Sequence, residues 1–131
     1  MNGTPGQFLR FAAVGTAGFV VDAAVLTFAM SALGLGLYGG RVVSYLAAAT
    51  FTWAANRRFT FAGADRAHPV VQWLKFLLAN AMGAAVNYGT YAVLVTWLPL
   101  ATRHPVLGVA AGSIAGLVVN FAASKRWVFR A

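Results

Sequence analysis

The chain has 131 residues, 60% of them apolar and only 9% charged, against about 25% charged in soluble domains. That composition predicts one membrane-embedded domain, 1–131, and leaves no soluble platform to present the +8 net charge as a basic patch, so no nucleic-acid partner is expected. The absence of cysteine excludes disulfides and thiolate metal sites.

The first apolar run, Phe11 to Leu33, has 23 residues. As a helix it measures about 34 Å, enough to cross a hydrocarbon core of about 30 Å. Its length and the interior Asp22 argue against a cleaved signal peptide. A turn around Gly34 to Gly40 leads to a 19-residue run, Leu37 to Ala55, which ends in Arg57-Arg58-Phe59. The connection Phe61 to Gln72 follows, with Pro69 suited to a helix first turn. A third run, Phe76 to Leu98, again has 23 residues; a turn over Pro99 to Pro105 and an 18-residue run, Val106 to Ala123, complete the set. The last run ends in Lys125-Arg126-Trp127. The pairs His68-Pro69 and His104-Pro105 read as coincidence.

The predicted fold class is therefore an all-α membrane protein with four transmembrane helices. Eight of the ten basic residues (Arg10, Arg57, Arg58, Arg66, Lys75, Lys125, Arg126 and Arg130) fall at the two ends of the chain or in the central connection. With four spans those regions share one side, which the positive-inside rule makes cytoplasmic. The expected location is the inner (plasma) membrane, with both termini cytoplasmic.

The chain also repeats itself. QFLRF at 7–11 returns as QWLKF at 72–76, an offset of 65, and NRRFTF ending at Phe61 is answered by SKRWVF ending at Phe129, an offset of 68. Repeat 1 runs from about 7 to 61 and repeat 2 from about 72 to 129. Each is a helical hairpin, and an even number of spans per unit makes the two parallel repeats.

Asp22 lies near mid-membrane, where a carboxylate is costly and faces the bundle interior. It reads either as a polar or proton-titrating element of a substrate path, or as a buried acid hydrogen-bonded to Thr, Asn or Tyr on a neighbouring helix. Its repeat counterpart is Asn87. Gly15, Gly18 and Asp22 share a helix face, as do Asn80, Gly83 and Asn87. The second helix of each unit carries a stripe at i+4 spacing: Gly40, Ser44, Ala48, Thr52, Asn56, and Gly108, Gly112, Gly116, Asn120, Ser124. Such stripes pack helices closely, or their polar ends line a headgroup pocket. The basic-aromatic ends, with Arg10 and Lys75 opposite, are an interfacial belt or a set of cations placed for a lipid phosphate. Arg41 and Tyr45 are weaker outer-side candidates for the same headgroup. Two loop histidines and two carboxylates give no metal-ligand or nucleophile-base spacing, so no enzyme activity, metal or cofactor is expected.

Phe8-Leu9-Arg10-Phe11 with Val14-Gly15 and Asp22, then Asn56-Arg57-Arg58-Phe59-Thr60-Phe61, then Asn120-Phe121 with Lys125-Arg126-Trp127-Val128-Phe129, together resemble the GtrA-like family of small four-helix membrane proteins. The resemblance covers almost the whole chain. It implies translocation of a polyprenyl-phosphate-linked sugar, such as undecaprenyl-phosphate glucose, from the cytoplasmic to the outer leaflet for cell-surface polysaccharide synthesis, together with a partner glycosyltransferase that makes the lipid-linked sugar.

On that reading the substrate-binding residues are Arg10, Asp22, Asn56, Arg57, Arg58, Lys75, Asn80, Asn87, Asn120, Lys125 and Arg126, and the bundle's small size points to a homo-oligomer, a dimer first. Two alternatives stand beside it. One is a small proton-coupled multidrug-type antiporter using Asp22, and the other is a non-transporting membrane anchor for a glycosyltransferase.

Overall fold

The computed structural model describes residues 3–62 and 68–129. Arg66, Arg130 and the middle of the connection expected over Phe61 to Gln72 lie outside these residues. All regular elements described are helical: α1 Thr4–Ser31, α2 Leu37–Ala55, α3 Pro69–Trp97, α4 Pro99–Arg103 and α5 Pro105–Ala123. Single π-helical turns, Asn56–Thr60 and Ser124–Val128, extend α2 and α5.

Proline opens four of these helices, where its missing N–H has no partner to lose. Both His-Pro pairs sit at such starts. At α3 the His68 ring caps the helix, Nδ1 accepting the Val70 N–H at 3.2 Å. After α1 the chain reverses through Gly34, whose φ of +68° is one that residues with a Cβ rarely adopt. The expected turn over Pro99 to Pro105 contains the one-turn helix α4, tied back to α3 by the Thr102 hydroxyl donating to the Val95 carbonyl at 2.6 Å.

Three helical stretches are long and apolar enough to cross a membrane: Thr4–Ser31, Pro69–Trp97 and Pro105–Val128. The 19-residue α2 falls outside that set, its mean hydropathy diluted by Gly39, Gly40, Arg41, Ser44 and Tyr45. Large apolar side chains such as Phe19, Phe28, Trp97, Val106 and Ile114 point outward, as they do where lipid is the solvent. The chain is an all-α, multi-pass membrane protein.

Contacts divide it into two compact units, Met1–Arg66 and Ala67–Arg130. In the first, α1 and α2 run antiparallel: Arg10 reaches Phe59, Gly18 faces Thr52, and Gly40 faces Leu26 and Met30. The second has the same course in α3 and α5, with Lys75 by Trp127, Gly83 by Asn120, Asn87 by Gly112 and Gly108 by Tyr91.

The π turns fix one end of each unit. Their i to i−5 bonds, Phe61 N–H to the Asn56 carbonyl at 2.8 Å and Phe129 N–H to that of Ser124 at 2.7 Å, widen the last turn. Phe61 thereby meets Phe11 edge-on at 6.3 Å, and Phe129 meets Phe76 at 5.9 Å. All four rings are buried.

The small-residue stripes face the partner helix within each unit. Gly40, Ser44 and Asn56 are buried in the first, and Gly108, Gly112, Gly116 and Ser124 in the second. Contact is closest in the second. A Cβ on Gly112 would lie 2.5 Å from the Asn87 carbonyl oxygen, and one on Gly116 would lie 2.8 Å from that of Gly83.

Candidate functional site

Each unit gathers cations and aromatic rings at the end where its first helix begins and its second finishes. In the first unit the Arg10 guanidinium donates to the Phe59 carbonyl at 3.2 Å. Arg57 lies over the Trp53 ring at 5.8 Å and Arg58 over Phe59 at 5.7 Å. In the second, Lys75 lies over Trp127 at 5.8 Å and Lys125 over Phe121 at 6.0 Å, while Arg126 is exposed. Lys75 is Arg10 displaced by 65 and Trp127 is Phe59 displaced by 68, so the first-helix cation meets the same repeat position in both units. The cationic heads themselves lie over these rings, so each unit concentrates positive charge and aromatic surface at one end.

Behind each end lies a polar layer. Asn56 is buried, and its Oδ1 accepts the Thr60 hydroxyl at 2.7 Å. The corresponding residues of the second unit are Ser124 and Val128, so the buried Ser124 hydroxyl has no hydrogen-bond partner among the described residues. One turn deeper, Thr52 and Asn120 sit against Gly18 and Gly83, whose missing side chains make the room. Asn120 Oδ1 is likewise buried without a partner among the described residues. Asn80 faces its own helix, its amide donating to the Phe76 carbonyl at 3.0 Å.

The units diverge deeper still. The Asp22 carboxylate forms an ion pair with the Arg41 guanidinium, which also donates to the Ser44 hydroxyl at 3.2 Å. Among the described residues Arg41, not the Thr, Asn or Tyr expected for a buried acid, is the partner of Asp22. Arg41 is accordingly engaged with Asp22, while Tyr45, one turn on, is exposed. In the second unit the equivalents of Asp22, Arg41 and Ser44 are Asn87, Val109 and Gly112. Among the described residues no ion pair forms at this level, and an open groove of about 320 Å³ is lined by Ala84, Asn87, Tyr88, Tyr91 and Val109.

The basic ends and the stripes were visible as motifs. The Asp22–Arg41 pair is not a motif of consecutive residues; a hairpin turning at Gly34 sets Asp22 across from the turn of Arg41 to Tyr45. Tyr88 and Tyr91 join the site through the structure, and their sequence signal is i, i+3 spacing beside Asn87. Among the described residues no three His, Asp or Glu side chains come together as metal ligands.

The family model described as GtrA/DPMS, transmembrane domain, matches residues 10–129, across both units. A search of curated proteins gave no match.

Proposed function

This chain belongs to the GtrA/DPMS transmembrane-domain family, and from that premise we propose that it carries a polyprenyl-phosphate-linked sugar from the cytoplasmic to the outer leaflet, supplying cell-surface polysaccharide synthesis. The observation that carries this reading is the duplicated cationic end backed by a polar layer: Arg10, Arg57 and Arg58 before Asn56 and Thr52, and Lys75, Lys125 and Arg126 before Ser124 and Asn120. Cations held on rings suit a lipid phosphate, and amide and hydroxyl groups suit the hydroxyls of a sugar. A sugar headgroup crossing unaided would strip each polar group of water at several kcal/mol apiece. The prenyl chain stays in lipid throughout.

The reading includes four spans in the plasma membrane, with α2 as the second, arranged as two parallel-repeat hairpins with both termini cytoplasmic. Pairing with Asp22 supports an embedded α2, because it holds Arg41, one turn from the start of that helix, against a carboxylate carried by a helix long and apolar enough to cross. The protein acts without catalytic chemistry of its own, as a homodimer, and receives its lipid from a glycosyltransferase. The same ion pair argues against a multidrug antiporter, since the carboxylate that would take a cationic substrate already has a counter-ion.

The test is reconstitution into vesicles carrying a short-chain prenyl-phosphate hexose, with external periodate reporting which sugars reach the outer leaflet. Protein-dependent exposure is expected, slowed about tenfold or more in Arg57→Ala/Arg58→Ala and in Lys125→Ala/Arg126→Ala. Wild-type movement no faster than in protein-free vesicles would refute transport, and undiminished movement in both double variants would refute the phosphate site.

A further inference from the structure

We propose that the groove on the second unit lined by Asn87, Tyr88, Tyr91, Ala84 and Val109 is the binding site for the sugar ring, and that it selects uncharged sugars; this rests on the lipid-linked-sugar reading above and assigns its specificity. The repeat locates the site. At this level of the first unit, Asp22 and Arg41 neutralise each other and engage Ser44. In the second unit Asn87 replaces the acid, Val109 replaces the long base and Gly112 replaces the serine. An aliphatic side chain in place of a guanidinium leaves open the space that the groove occupies.

The lining has the chemistry of a carbohydrate site. The Asn87 amide offers two donors and an acceptor and is hydrogen-bonded to no other side chain among the described residues. A polar amide held in apolar surroundings gains from a hydrogen-bonding ligand that takes up those valences. Tyr88 and Tyr91 stand beside it, their rings 6.5 Å apart and tilted by 37°. Each offers an apolar face for the C–H side of a pyranose and a hydroxyl for its rim. At about 320 Å³ the groove lies at the small end of ligand sites, the scale of one sugar and not of a prenyl chain. None of its five residues is Asp, Glu, Lys, Arg or His, so an amino sugar or a uronic acid would be desolvated there without a counter-charge.

The repeat also supplies the decisive variant. Asn87→Asp with Val109→Arg rebuilds the ion pair of the first unit inside the groove of the second, and Tyr91→Ala removes a ring without adding charge. Wild type and both variants, in nanodiscs, are titrated with three short-chain probes: a prenyl-phosphate hexose, a prenyl-phosphate amino sugar and the bare prenyl phosphate. Wild type is expected to bind the hexose lipid about tenfold more tightly than the bare lipid, an advantage the amino sugar lacks. Both variants should lose that advantage while holding the bare lipid as before, which also shows that they are folded. An undiminished advantage in both variants, or an equal one for the amino sugar, overturns the groove and leaves the transport reading standing. Failure of wild type to bind any of the three overturns both. If Tyr88→Ala dissolves a dimer and leaves the advantage intact, the face is a self-association surface and the proposal fails.

Discussion

At the level of Asp22 the first helix pair is held by charge, whereas at the matching level of Asn87 the second is held by backbone contact across Gly112 and Gly116. The ends of the two pairs are built alike, with a π turn, an edge-on phenylalanine pair and a first-helix cation against the same position of the second helix. Shared features thus lie where each unit needs an anchored end, and the differences lie along its interior. A duplicated scaffold that keeps its ends and changes its lining can hold two polar environments without two folds.

The likeness of the ends is tested by the largest effects. Phe61→Ala and Phe129→Ala each remove a buried ring, and each is expected to destabilise by about 3–5 kcal/mol. Thermal unfolding in detergent should show similar losses for the two. A large loss in one unit alone would break the equivalence.

The interiors should respond unequally. Gly112→Ala drives a methyl to within 2.5 Å of the Asn87 carbonyl oxygen and is expected to cost about 1–3 kcal/mol as the helices separate. Its counterpart, Ser44→Ala, already has a Cβ and loses the hydrogen bonds with Arg41, about 1 kcal/mol. Equal costs would mean that the closer approach in the second unit carries no energetic weight.

The smallest effect isolates the charge. A double-mutant cycle on Asp22→Asn and Arg41→Gln should give a coupling of about 1 kcal/mol, modest because the arginine is more than half exposed. The matching cycle on Asn87→Ala and Val109→Ala should give a coupling near zero. Matching values in the two units would mean that charge does not distinguish them.

Much of this was legible in the sequence because hydrophobic runs and repeated motifs are properties of consecutive residues. The run Leu37 to Ala55 coincides with α2, and the i+4 stripes are the packed faces of α2 and α5. The apolar runs begin at Phe11 and Phe76, inside helices that start at Thr4 and Pro69, because polar first turns continue a helix beyond its apolar part; Pro69 is the sequence signal of the second start. The Asp22–Arg41 pair depends on hairpin register, which a change of one residue in the turn would alter. The π turns were invisible for another reason: an i to i−5 bond leaves no composition signature, and only the recurrence of FTF and VF at the same repeat position hinted at a shared ending. The groove is legible only by subtraction, once the ion pair of the other unit is known.

Everything proposed for transport depends on the two helix pairs entering the bilayer in the same sense, so that both cationic ends serve one leaflet. The natural absence of cysteine makes the direct test clean. Single cysteines at Leu33, Ala62, His68 and His104 are labelled from either side of oriented vesicles with an impermeant maleimide. The expected result is that Ala62 and His68 react only from the cytoplasmic side and Leu33 and His104 only from the opposite side. Labelling of Leu33 and Ala62 from the same side would show that α2 does not cross, and would contradict the account.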